Sequence, residues 1–101
     1  MRHSLEMRFS IDHPTAAGHF PGNPIIPGAV LLDEVLRALT AGAAADHYAI
    51  RAVKFLQPVR PGDAVLIQWD IRPDGETTFE CRLLEPDRLA LTGTARWGAA
   101  P

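Results

Sequence analysis

The sequence predicts an α+β domain in which one apolar helix lies across an antiparallel sheet. Three observations predict it. A single segment, opened by Pro27, repeats its leucines and valine at helical spacing. The segment before it and the later segments after it alternate apolar and polar residues at every second position. Turns rich in proline, glycine and acidic residues then separate the later segments by only a few residues, which suits antiparallel neighbours. At 101 residues the chain has room for one domain, 1–101, with one modest core.

Each element follows from its own residues. Leu5, Met7, Phe9 and Ile11 alternate with Ser4, Glu6, Arg8 and Ser10, the pattern of a half-buried strand. Pro14, Pro21, Pro24 and Pro27 exclude helix and central strand from the next stretch, Asp12 to Pro27. A loop of that length is usually functional or disordered, and Phe20, Ile25 and Ile26 favour function. Pro27 suits the first helical position, where a missing N–H and a fixed φ cost nothing. Beyond it Leu31, Leu32, Val35, Leu36 and Leu39 cover an arc of roughly 140°, with Asp33, Glu34 and Arg37 opposite and Gly42 as the stop.

The remainder reads as strands. Tyr48 to Leu56 is apolar on both faces apart from Arg51 and Lys54, which suits a central strand. Arg60-Pro61-Gly62-Asp63 ends it as a turn. Val65, Ile67, Trp69 and Ile71 form the next strand, and Asp74-Gly75 the hairpin after it. Phe79, Cys81 and Leu83 follow, then a Glu85-Pro86-Asp87 turn and a last strand through Leu89, Leu91, Ala95 and Trp97. Four strands in a meander are expected, with the helix packed across them.

Composition narrows the function. With 47% apolar and 22% charged residues the chain folds. Ten basic against twelve acidic residues leave a net charge of −2, without the positive excess that nucleic-acid binding needs. No apolar run approaches the ~20 residues of a membrane span. The first residues alternate in polarity, unlike a secretory signal, and a lone cysteine cannot form an internal disulfide, so a cytoplasmic location is expected.

Several chemistries are absent from the motifs. There is no P-loop lysine, no G-x-S-x-G elbow and no H-E-x-x-H pair. Both serines, Ser4 and Ser10, belong to the first strand, Cys81 lies on an apolar strand face, and the histidines lack a metal-ligand spacing. What remains is Gly18-His19-Phe20-Pro21-Gly22-Asn23-Pro24-Ile25-Ile26-Pro27-Gly28. It puts an imidazole in a proline-bound loop that runs into a helix N-terminus. Gly28 is the first free amide donor there and has no side chain to keep a carbonyl away. A base beside such a donor can remove a proton next to a carbonyl. The same residues also fit a surface histidine in a turn. Asp33, about one and a half turns past Gly28, is either an acid of that site or half of an i,i+4 ion pair with Arg37 on a solvated face.

His19-Phe20-Pro21-Gly22-x-Pro24-x-x-Pro27-Gly28, followed by Leu31-Leu32-Asp33, resembles the signature of the β-hydroxyacyl-acyl-carrier-protein dehydratases of the FabA/FabZ type. Val53-Lys54-Phe55 and Pro58-Val59-Arg60-Pro61-Gly62-Asp63 resemble the strand and turn after that family's helix. The resemblance implies the hotdog fold, a long central helix wrapped by an antiparallel sheet. It implies His19 as catalytic base, Asp33 as the acid, the Gly28 amide as holder of the thioester carbonyl, and the Ile25 carbonyl as the group that fixes the His19 tautomer. It also implies a two-fold homodimer, each site taking His19 from one chain and Asp33 from the other. Aspartate at position 33 resembles the dehydratase-isomerase branch. Arg37 departs from the family, which commonly has glutamine there. The short stretch before the motif resembles stand-alone dehydratases of specialised lipid or polyene pathways.

The resulting expectation is a (3R)-hydroxyacyl thioester dehydratase acting on an acyl-carrier-bound chain, with no metal or redox cofactor. Apolar surroundings are expected to keep Asp33 partly protonated. Arg37, Arg51 and Arg60 are candidates to meet the carrier's acidic surface. Two other readings stay open: a hotdog acyl-thioesterase, and a non-catalytic hotdog subunit that holds acyl carriers.

Overall fold

The computed structural model describes residues 2–10, 25–40 and 47–98. Its elements are β1 (Arg2–Arg8), α1 (Gly28–Thr40), β2 (His47–Phe55), β3 (Ala64–Ile71), β4 (Glu76–Leu84) and β5 (Asp87–Gly98). The strands form one antiparallel sheet in the order β1-β3-β4-β5-β2.

Turn chemistry sets the hairpins. Gly75 has a φ of 88°, which an L side chain rarely adopts, and it closes the β3–β4 turn by donating its N–H to the Arg72 carbonyl at 2.9 Å. Glu76 N–H donates to Asp74 Oδ1 at 3.0 Å, and this bond holds the Asp74 carboxyl below its ordinary range. Gly62, with a φ of 91°, does the same service before β3, where Asp63 N–H donates to the Arg60 carbonyl at 3.0 Å. Gly62 N–H also reaches the Phe9 carbonyl at 2.9 Å, so this turn ties the end of β1 to the start of β3.

Strand register then sorts the side chains. Ile67 faces Cys81 and Trp69 faces Phe79, so these four share one side of the sheet. Leu31, Val35, Ala38 and Leu39 of α1 pack with Ile67, Phe79, Cys81 and Ala95 in a single buried cluster. Each fully buried Val or Ile side chain there contributes roughly 1.5–3 kcal/mol. The other side of the sheet is charged. Arg2 pairs with Glu80, Arg82 bridges Glu80 and Asp87 at 3.2 and 3.0 Å, and Glu76 takes Arg51 and Arg96 at 3.4 and 3.5 Å. It is a solvated face.

Four expectations need correction. The helix begins one residue later than Pro27. The Pro27 carbonyl accepts from Val30 and Leu31 at 2.9 and 3.1 Å, which makes proline the capping residue and Gly28 the first helical one. The first strand runs Arg2–Arg8 rather than from Leu5 to Ile11, and Phe9 turns into the core just beyond it. The expected half-burial reaches only Met7, because β1 is an edge strand and α1 packs mainly over β3 and β4. Finally, β2 is an edge strand and not a central one, so the meander holds only for β3-β4-β5. The eight residues between β2 and β3 carry the chain from one edge of the sheet toward the other. The helix stop expected at Gly42 lies outside the described residues.

Candidate active site

The start of α1 is where the chemistry gathers. The first amides of any helix lack an intrahelical acceptor. Here the Gly28 and Ala29 amides have no backbone acceptor among the described residues. Beside them lies a cavity of about 400 Å³ lined by Ile25, Ile26, Gly28, Leu31, Phe55, Leu56, Gln57, Pro58 and Val59. Its walls come from three places in the sequence: the segment entering α1, the helix itself, and the end of β2 with the residues after it. Ile26 N–H donates to the Val59 carbonyl at 2.7 Å, which holds the first and third of these together. The walls are apolar except for Gln57 and backbone groups. An alkyl chain suits the walls, and a partial negative charge suits the amides.

Gly28 is a position of close approach. A Cβ there would sit 2.9 Å from Phe55 Cε1 and 3.2 Å from Cδ1 and Cζ, so the ring already fills the space of a side chain. Phe55 itself is 54% exposed.

The sequence-derived site residues do not all meet. Gly28 and Ile25 line the cavity. Asp33 does not. It points away on the face of α1 opposite the buried stripe, with its side chain 59% exposed and its Oδ2 3.1 Å from Arg37 Nε. The expectation of apolar surroundings for Asp33 is therefore not met within one chain. The i,i+4 pair that the helix spacing allowed does form. His19 lies outside the described residues.

Among the arginines, Arg37 is taken by Asp33 and Arg51 by Glu76. The Arg60 side chain has no hydrogen bond or ion pair among the described residues. With Arg88 it borders a second hollow that shares Gln57 and Pro58 with the apolar cavity. Cys81 is fully buried, and burial pushes its thiol up to about 12, which suits a packing role. Sequence reasoning assigned no role to Phe55, Leu56 or Val59. The signal available was the doubly apolar β2, read as a central strand.

Comparison with known proteins fits this geometry. The chain is 33% identical over 82 residues to the 3-hydroxyacyl-acyl-carrier-protein dehydratase FabZ of a Caulobacter species, covering 70% of this chain and 50% of that protein. It is 33% identical over 86 residues to the FabZ of Lactiplantibacillus plantarum, covering 74% of this chain and 58% of that one. The chain thus spans about half the length of the curated relatives it matches. Among solved structures, an uncharacterized protein from Erwinia carotovora subsp. atroseptica superposes with a TM-score of 0.80 at 25% identity, over 98% of this chain and 93% of that one. The dehydratase heterocomplex ApeI:P from Xenorhabdus doucetiae superposes with a TM-score of 0.79 at 23% identity, over 95% and 86%. The fold is the hotdog. A family model described as ApeI-like, ApeI dehydratase, matches residues 1–93, and the chain belongs to that family.

Proposed function

We propose that this chain is a (3R)-hydroxyacyl-acyl-carrier-protein dehydratase working as a homodimer. The observation that carries the reading is the apolar cavity at the start of α1, with the Gly28 and Ala29 amides, which have no backbone acceptor among the described residues, beside it. The 3-hydroxyacyl-carrier dehydratase names of its relatives supply the substrate class. His19 takes the proton from the α-carbon of the thioester while the Gly28 amide steadies the enolate-like oxygen. The Ile25 carbonyl keeps the His19 proton on the far nitrogen. Asp33 hands a proton to the β-hydroxyl, which leaves as water. One C–H and one C–O bond break, and the α,β double bond forms, giving the trans-2-enoyl thioester.

The position of Asp33 argues for two chains per site. It lies off the cavity of its own chain, whereas β2 offers an open edge with Ile50, Phe55 and Leu56 exposed. Unpaired edges bearing apolar residues invite pairing. A second copy joined there brings its own Asp33 to the first copy's cavity.

Mixing two inactive variants tests both halves of the reading. His19→Ala and Asp33→Asn chains, refolded together, pair at random, so about half the dimers are mixed and each has one intact site. Mass spectrometry of 3-hydroxyacyl carrier should then show loss of water at about a quarter of the wild-type rate. Exchanging dimers that stay inactive refute the shared site, and loss of the acyl group from carrier in the wild type refutes dehydration.

A further inference from the structure

The exposed Phe55 ring is not explained by folding. It ends an edge strand, it adds little to the buried cluster, and yet its edge rests on Gly28 with three ring atoms within 3.2 Å of where a Cβ would stand. In a helix the Cα–Cβ direction leans toward the N-terminus. The ring therefore stands at the first turn of α1, against Gly28. It also lines the cavity, with Leu31, Ile25 and Val59 among the other walls.

From this placement, and resting on the dehydratase reading, we infer that Phe55 is a specificity-determining residue that admits 3-hydroxyacyl thioesters unbranched at the α-carbon and rejects those with an α-methyl group. A carbonyl oxygen held by Gly28 N–H puts the α-carbon one bond from the held carbonyl carbon. That carbon comes next to the ring that already touches Gly28. The contact leaves no methyl-sized gap between glycine and ring. A hydrogen on the α-carbon fits the slot, while a methyl has to displace the ring. Both substrates keep one α-proton, so the same elimination is open to each and only the fit differs.

The test compares kcat/KM for a straight-chain 3-hydroxyacyl carrier and its α-methyl counterpart on the full chain, as wild type, Phe55→Leu and Phe55→Ala. One misplaced methyl is worth roughly 10- to 200-fold in such a site, so the wild type should prefer the straight chain by at least about tenfold. Phe55→Ala should narrow that preference by about tenfold, chiefly by gaining on the branched substrate, with Phe55→Leu in between. The ratio cancels any general loss of folding or pairing, and Phe55→Leu still reports if Phe55→Ala does not fold. A preference unchanged within about twofold, or a parallel loss on both substrates, overturns the inference and leaves the dehydratase reading standing. A folded wild type that dehydrates neither substrate overturns both.

Discussion

Replacing Gly28 with alanine separates the chemistry of the helix start from its stability. The new methyl would lie 2.9 Å from Phe55 Cε1, about 0.6 Å inside the ~3.5 Å at which carbon contacts become attractive. Something has to move, and the neighbour is a half-exposed ring rather than backbone. Turning it off its rotamer costs about 0.5–1.5 kcal/mol. Removing glycine from a helical position returns about 0.4–1 kcal/mol through the unfolded chain. The two nearly cancel, so Gly28→Ala should melt within about 5 °C of the wild type by circular dichroism. Its dehydration rate should fall about 100-fold, because the methyl and the displaced ring crowd the place where the thioester carbonyl meets the amide. Adding Phe55→Ala to Gly28→Ala frees that volume and should restore part of the rate, a coupling that a double-mutant cycle measures directly. A variant with wild-type turnover would refute the role of the Gly28 amide. One that loses more than about 3 kcal/mol would show that the ring is locked and the accounting wrong.

Gly93→Ala should behave in the opposite way. Its Cβ would lie 2.6 Å from both the Ala52 carbonyl oxygen and Phe79 Cζ inside the sheet, so a loss of about 3 kcal/mol is expected in urea melts. Cys81 holds its proton more tightly folded, at about 12, than unfolded, at about 9, so its contribution is intact below pH 9 and is lost as the pH climbs toward 12. The stability difference between wild type and Cys81→Ala should therefore shrink by about 1 kcal/mol between roughly pH 9 and pH 10; a constant difference counts against a buried neutral thiol. Arg37→Gln removes a pair that, between side chains 72% and 59% exposed, adds little to stability. Its melting point should stay put while turnover rises about twofold as Asp33 is freed to act as proton donor, and a fall in turnover would make Arg37 part of the site. Arg60→Glu should raise KM for the carrier-bound substrate about tenfold and leave a pantetheine thioester unaffected, which steady-state kinetics on the two substrates would check.

The sequence was most legible where one physical cause acts alone. Leu31, Val35 and Leu39 must face a core wherever that core lies, so helical spacing finds them, and burial agrees. Asp74-Gly75 and Pro61-Gly62 sit in turns because positive φ is a local demand, independent of the rest of the chain. Neighbour relations between strands are not local, and there the reading failed. β2 looks central because it is apolar on both faces, yet among the described residues it pairs only with β5 and leaves Ile50 and Phe55 exposed. Alternation reports which faces are covered, but not whether the cover comes from the same chain. The site divides the same way. Gly28 and Ile25, which the motif singled out, both line the cavity, since both belong to the segment that enters the helix. Phe55, thirty-six residues beyond His19, has no local signature of its contact with Gly28 and needed the fold to bring it there.

The edge position of β2 and the exposure of Asp33 have one explanation on the dehydratase reading. A strand patterned for burial on both faces but left at an edge invites a second neighbour from another molecule. An acid on the solvated face of α1, within one chain, is an acid with nothing there to protonate. On that reading a second copy paired along β2 would supply both partners, covering Ile50 and Leu56 and turning the exposed Asp33 toward the neighbouring cavity. The core of a 101-residue chain would gain apolar area in the same step, so that on this proposal assembly and catalysis draw on one interface. Substitutions that put charge on that edge, such as Ile50→Lys, should therefore dissociate the dimer in analytical ultracentrifugation and abolish dehydration together. A monomer that still dehydrates its substrate would separate the two and return Asp33 to an ordinary surface ion pair.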